Sequence, residues 1–190
     1  MRGLGSQESV IGLDLSIRNT GVCCVPAGWD HTMGSLFLTS FGAERDGAAL
    51  GNPHTLAKLE IERYLKISKG VVDFVKKHDV KHVAVERYAF SVKGSSSVTK
   101  LAELGGIVKS QLLLSCRVPG VPVSVGTARK HLTGGIKKGR PKEQVERFLK
   151  EVGLRFDNMD EMDAFVIAYY WYCQVNEIKN PFLRQQEFVL

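Results

Sequence analysis

Apolar residues alternate with small or polar ones at the start of the chain. Over residues 10–16, Ile11, Leu13 and Leu15 fall on one face and Gly12, Asp14 and Ser16 on the other, a period that predicts a β-strand. Arg18-Asn19-Thr20-Gly21 is a turn signal, so 22–25 is read as a returning strand and 36–41 as a third. The intervening stretches 26–34 and 42–53 are rich in Gly, Pro and polar residues and are read as loops. Residues 54–77 are helical in pattern, with Leu65, Val72 and Val75 on one stripe, and 82–86 is a short strand. A serine run opens a second long helix over 96–115, supplying an N-cap, and 121–125 is a fifth strand. Pro141 suits a first helical turn, after which Val145, Phe148, Leu149 and Val152 follow an amphipathic stripe that ends at Gly153. A final helix covers 160–177; the remainder has no clear periodicity.

Three strands, a helix, a strand, a helix, a strand and then helices is the order of an α/β protein. An antiparallel meander followed by right-handed crossovers gives a five-stranded mixed sheet of order 3-2-1-4-5 with helices on both faces. Strand 1 then lies parallel to strand 4, and Asp14 and Glu86 sit side by side at the carboxyl ends of central strands, where such sheets place their ligands. The 190 residues suit one domain, expected over 10–177, with a flexible segment 1–9 and a tail 178–190.

Composition narrows the class. The hydrophobic fraction is 44%, ordinary for a globular protein, and no apolar run reaches the twenty or so residues of a membrane span. Residues 1–8 lack the apolar segment of a secretory signal. Cys23, Cys24, Cys116 and Cys173 show no metal-ligand spacing and are read as reduced, buried thiols of an intracellular, cytoplasmic protein. No HxxxH or CxxC pair points to zinc. The net charge of +6 suggests an anionic partner, of which nucleic acid is the commonest. Its distribution says more: Lys and Arg crowd residues 129–150, while 157–163 is acidic. A basic rim beside an acidic cluster is what phosphodiester cleavage needs.

Carboxylates carry the candidate chemistry. Asp14 interrupts one apolar strand, and Glu86 ends another, Val83-Ala84-Val85. Asp160 and Asp163, three apart at the start of a helix, project from one face. Singly, each has an ordinary explanation: Asp14 closing a turn with Arg18 and Asn19, Glu86 pairing with Arg87 or a lysine, Asp160 capping its helix. Together they form a hard-oxygen cage suited to Mg2+ or Mn2+. Two ions about 4 Å apart would activate a water and stabilise the leaving oxygen, and four carboxylates can hold them.

The stretch Ile11-Gly12-Leu13-Asp14-Leu15-Ser16-Ile17-Arg18-Asn19-Thr20-Gly21 resembles the opening motif of RuvC-type Holliday-junction resolvases, members of the ribonuclease H-like superfamily. Val83-Ala84-Val85-Glu86 resembles their second acidic motif and Asp160-Glu161-Met162-Asp163-Ala164 their third, in the family's order. The resemblance implies a Mg2+-dependent homodimeric endonuclease that binds a four-way DNA junction and nicks opposed strands. It makes Asp14, Glu86, Asp160 and Asp163 the ligands of two metal ions. The segments Ala128-Arg129-Lys130-His131-Leu132-Thr133-Gly134 and Lys142-Glu143-Gln144-Val145 resemble the family's basic motif. Lys142, at a helix N-terminus, is then the catalytic lysine beside the scissile phosphate. Arg129 stands where the family usually has lysine, with Lys130 beside it; Lys93, Lys137, Lys138 and Arg140 complete the expected DNA-binding set. Tyr88 and Phe90 follow the catalytic glutamate, where the family carries an aromatic that helps open the junction centre; core packing is the equal alternative. Leu104-Gly105-Gly106-Ile107 lies in the helix through which the family dimerises, with packing on the chain's own sheet as the alternative. The longer segment 26–51 and the tail 178–190 resemble a virus- or phage-encoded branch, and the expected place of action is the cytoplasm of a bacterium or of a virus-infected host cell.

Three other readings compete. A nucleotide-binding module of the actin and sugar-kinase type would need a second domain, and Arg140-Pro141 stands where a phosphate loop requires Lys-Ser/Thr. A ribonuclease H-like nuclease acting on forks, flaps or RNA–DNA hybrids would use the same carboxylates. A catalytically inactive junction-binding protein would be expected to have lost some of them, and all four are present.

Overall fold

In the computed structural model, residues 7–42, 52–87, 95–135 and 140–184 are described. The first three strands, β1 (Val10–Asp14), β2 (Thr20–Val25) and β3 (Phe37–Phe41), form an antiparallel meander. Helix α1 (Pro53–Lys77) leads to β4 (His82–Glu86), and α2 (Ser95–Cys116) to β5 (Gly120–Val123). Both crossovers return parallel to their neighbours, giving one sheet of order β3-β2-β1-β4-β5, as expected. Then follow α3 (Val125–Thr133), α4 (Pro141–Glu151), α5 (Met159–Val175) and the short α6 (Pro181–Arg184).

Alternation along the central strands feeds two cores. Ile11 and Leu13 of β1, Val22 and Cys24 of β2, and Val83 and Val85 of β4 pack with Tyr64, Ile67 and Val71 of α1 and Leu104, Val108 and Leu112 of α2. Val10, Cys23, Val25 and Ala84 point the other way, against α5 and its neighbours α3 and α4. The five residues of β1 are all buried, as a strand covered on both faces must be. The helix starts are written locally: Asn52 accepts from the His54 amide, with Pro53 next, and Asn158 accepts from the Glu161 amide at 2.9 Å. Cys23, Cys24 and Cys173 are buried free thiols as anticipated, whereas Cys116 is only half-buried. No helix among the described residues is long and apolar enough to cross a membrane.

The sequence reading departs from the structure in three places. Residues 125–133 form a helix within what was read only as a basic segment. Nine residues with Gly126 in the first turn give little periodicity, and the ends are set by Ser124, which accepts from the Thr127 amide, and by Gly134 at φ 72°. The 26–34 loop is anchored: Trp29 is buried, its ring edge-on to Phe165 and Tyr169, and its indole N–H donates to the Thr32 carbonyl at 2.9 Å. The ends meet the domain as well. Tyr172 donates to Gln7 and Asn176 bonds Glu8, while Asn180 accepts from Tyr169 and donates to the Leu132 carbonyl, beside a buried Phe182. The packed unit therefore runs past both boundaries drawn at 10 and 177.

Candidate active site

The register of β1 on β4 pairs Gly12 with Ala84 and Leu13 with Val85, so one further step sets Asp14 beside Glu86. Asp14 shares a strand face with Gly12, and that face looks onto α5. Glycine is required there. A Cβ on Gly12 would overlap the Ala164 carbonyl oxygen and the Ala168 amide nitrogen, and one on Gly21 would overlap the Asp160 carbonyl. Two glycines on adjacent strands thus let the α5 backbone lie directly on the sheet, with its first turn over the ends of β1 and β2. That first turn carries Asp160 and Asp163.

The electrostatics register this convergence. Asp14 is 9% exposed, and its carboxyl is pushed up to about 9. Burial is the largest cause, followed by a hydrogen bond with Glu86 and then by the negative charges of Glu86, Asp163 and Asp160. The other three anticipated carboxylates are thus near enough for their charges to act on Asp14. Asp14 does not close the strand turn: Ser16 and Thr20 do, with the Thr20 hydroxyl donating to the Ser16 carbonyl at 2.6 Å and the Ser16 hydroxyl accepting from the Arg18 and Asn19 amides. This turn presents Asn19, whose Nδ2 donates to Oδ2 of Asp160 at 2.7 Å. Asp160 is not a cap either, since Asn158 fills that role. Among the described residues, no ion pair reaches Asp14, Glu86 or Asp160.

Asp163 differs. Its side chain is 3% exposed, and both its oxygens face cations: Oδ1 accepts from Arg129 Nη2 at 2.7 Å and Nε at 3.3 Å, and Oδ2 lies 2.7 Å from Lys142 Nζ. Among the described residues, no three His, Cys, Asp or Glu side chains stand at the spacing of a finished metal cage.

Against solved structures the likeness is extensive and the identity low. Thermus thermophilus RuvC in complex with a Holliday junction substrate superimposes with a TM-score of 0.65 at 18% identity, over 88% of this chain and 94% of that one. A second Thermus thermophilus RuvC structure gives 0.60 at 20% identity, over 87% and 95%. The yeast mitochondrial Holliday junction resolvase Ydc2 gives 0.56 at 15%, over 97% and 85%. The chain has the RuvC-like fold. No family model and no curated protein matches its sequence.

On this RuvC-like, ribonuclease H-like frame the expected basic residues separate. Lys142, in the first turn of α4, is half exposed at the edge of the carboxylate cluster. Arg129 corrects its expected role: it is buried, 8% exposed, and its guanidinium is turned inward onto Asp163 instead of outward to a DNA backbone. Lys130 is exposed on α3, and Arg140 is exposed with Nη1 3.1 Å from Glu143. Tyr88, Phe90, Lys93, Lys137 and Lys138 lie outside the described residues. The sequence reading missed Asn19 as a partner of Asp160, and Gly12 and Gly21 as the seat of α5. The pair Asn19–Asp160 spans 141 positions, so no local pattern announces it; the two glycines were visible, but as strand and turn residues.

Proposed function

We propose that the chain is a structure-selective DNA endonuclease that resolves four-way junctions through paired, metal-dependent nicks in opposed strands. The observation that carries this reading is the gathering of Glu86 and Asp160, from a second strand and a helix, around a buried Asp14 whose carboxyl is held protonated chiefly by burial and then by the hydrogen bond with Glu86 and the neighbouring negative charges. The donor set is oxygen alone, and a divalent cation would relieve the crowding, which suits Mg2+ or Mn2+. Bound there, such an ion supplies an activated water and charge neutralisation at the leaving oxygen. The chain's own part is to keep the carboxylates in place. Asn19 orients Asp160, and Lys142 presents an ammonium where a phosphate would approach the α4 N-terminus.

Lys142→Ala is expected to slow cleavage about a hundredfold, because it removes a charge beside the reacting phosphate. Junction affinity should fall by only about threefold, since one contact is a small share of a salt-dependent total. Single-turnover cleavage and gel-shift titration check the two separately. Equal losses would make Lys142 an anchor.

The homodimer belongs to the same proposal. Ala102, Gly106, Ser110, Leu113 and Leu114 lie along the exposed side of α2, with Leu113 and Leu114 52% and 67% exposed. A Cβ at Gly106 would meet nothing within 4 Å, so packing within the chain does not account for a residue that weakens the helix by about 1 kcal/mol relative to Ala. A second α2 crossing closely at this point does. Gly106→Trp should leave the fold intact and weaken the dimer about thirtyfold or more, read by sedimentation velocity across a concentration series.

The deciding assay offers a four-way junction, a fork, an RNA–DNA hybrid and plain duplex to the protein with and without Mg2+. Symmetric paired nicks in the junction alone, with Mg2+ alone, are expected. Preferential cutting of the fork or the hybrid would replace the junction as substrate.

A further inference from the structure

A pocket of about 220 Å3 lies between α4 and α5, and nothing in the reading above uses it. Lys142, Glu146 and Lys150 follow one another at four-residue spacing along one face of α4. The first lies 2.7 Å from Asp163 and the other two line the pocket, so its wall begins one helical turn, about 5.4 Å, along α4 from Lys142. On α5, Met159 and Met162, the chain neighbours of Asp160 and Asp163, line it as well. Leu149, Leu154 and Phe156 complete the apolar walls, and the half-buried Phe156 ring is held against Phe165 at a centroid distance of 5.1 Å. The polar lining carries both signs equally, Glu146 and Asp157 against Lys150 and Arg155, and Lys150 already pairs with Glu146 at 2.6 Å.

Size and charge select the occupant. The volume is below the roughly 300 Å3 at which sites for drug-sized ligands begin, so the pocket takes a small group. With no surplus of either charge, it favours neither a phosphate nor a cation. A neutral planar group with donors and acceptors on its edge fits instead, its faces covered by apolar side chains. Asn158 accepts from the Glu161 amide at 2.9 Å through its carbonyl oxygen and keeps its side-chain NH2 as one donor for that edge. We propose that this pocket receives a nucleobase turned out of the stack beside the phosphate to be cut, and so reads the base at that position. The proposal rests on the branched-DNA reading above and adds a sequence preference to it. A base at a branch point is less firmly stacked than one in plain duplex, so its extrusion costs less. One face of α4 then serves both contacts, the phosphate at Lys142 and the neighbouring base one turn further on.

The test places 2-aminopurine, which brightens on leaving the stack, at each position around the branch point of a four-way junction bound by the full-length protein in EDTA. One position should brighten about fivefold or more, and Met159→Trp, which fills the pocket from its exposed side, should abolish the rise. In Mg2+ the wild type should cut junctions carrying the four different bases at that position with rates spread over about tenfold or more. Met159→Trp should compress the spread to within about threefold, by slowing the preferred junction and leaving the others near their wild-type rates. Four rates slowed equally would mean a merely structural effect and would overturn the proposal, as would a rise that survives the substitution. Should Met159→Trp not fold, Phe156→Leu, which removes the stacking ring and keeps the wall apolar, takes its place. Cutting without any brightening overturns the pocket and leaves the nuclease reading standing. Brightening that Met159→Trp abolishes, with no cutting in Mg2+, does the reverse, and a protein that binds no branched DNA overturns both.

Discussion

Asp14→Asn is expected to reduce strand cleavage by about three orders of magnitude or more while raising the stability of the metal-free protein at pH 8. The two effects have one cause. In the folded chain the Asp14 carboxyl is pushed from 3.8 to about 9, chiefly by burial and then by its hydrogen bond with Glu86 and the charges around it. Between those two values the folded state binds a proton that the unfolded state releases, so stability falls as pH rises across that window. A single proton taken up on folding corresponds to a slope of up to about 1.4 kcal/mol per pH unit. Asparagine has the same shape, does not titrate, and offers an N–H donor to Glu86 in place of the carboxylic proton. Thermal melts in EDTA at pH 5, 7 and 9 should therefore show the wild type losing stability relative to the variant with each step upward. Mg2+ should restore the wild type at pH 8 and leave the variant nearly unmoved, because a ligand stabilises only the state that binds it. Parallel pH profiles for the two proteins would mean that Asp14 is not forced to carry a proton and that the carboxylates do not crowd one another.

How much of this was readable in the chain depends on the range over which each feature acts. The sheet order follows from strand and helix periods and from the handedness of crossovers, which are local or nearly so, and residues 82–86 were bounded as found. Asp14 and Glu86 were placed correctly because a parallel register between apolar strands leaves little freedom at their ends. The helix-borne acids were legible from their spacing, but not their different fates. Nothing near Asp163 in sequence announces that Arg129, 34 residues earlier, would fold inward onto it. A basic residue in a basic segment reads as a surface contact, and only the short helix α3, too brief to show a period, turns it toward the core. Cation partners outside the local sequence are thus the part of the site that patterns do not carry.

The seat of α5 makes the last expectation the most demanding. Gly12→Ala adds a single methyl, ordinarily a stabilising change in a strand, yet here the atoms it meets are the Ala164 carbonyl oxygen and the Ala168 amide, both backbone and both inside a buried helix. No rotamer can move them; the helix itself must lift from the sheet. A cost of about 2–4 kcal/mol is expected, which for a chain of this length lowers Tm by roughly 4–16 °C. Gly34→Ala, where a Cβ would meet nothing, is the control and should stay within about 0.5 kcal/mol of wild type. Gly21→Ala separates fold from site. Its Cβ would press on the Asp160 carbonyl at the first turn of α5, and a helix end yields more cheaply than a helix middle. That variant should melt closer to wild type than Gly12→Ala and still lose most of its cleavage, because the turn that shifts is the one carrying Asp160 to Asp14. If Gly21→Ala cuts junctions at the wild-type rate, then the close seating of α5 on β2 serves packing alone, and the geometry of the carboxylate cluster does not depend on it.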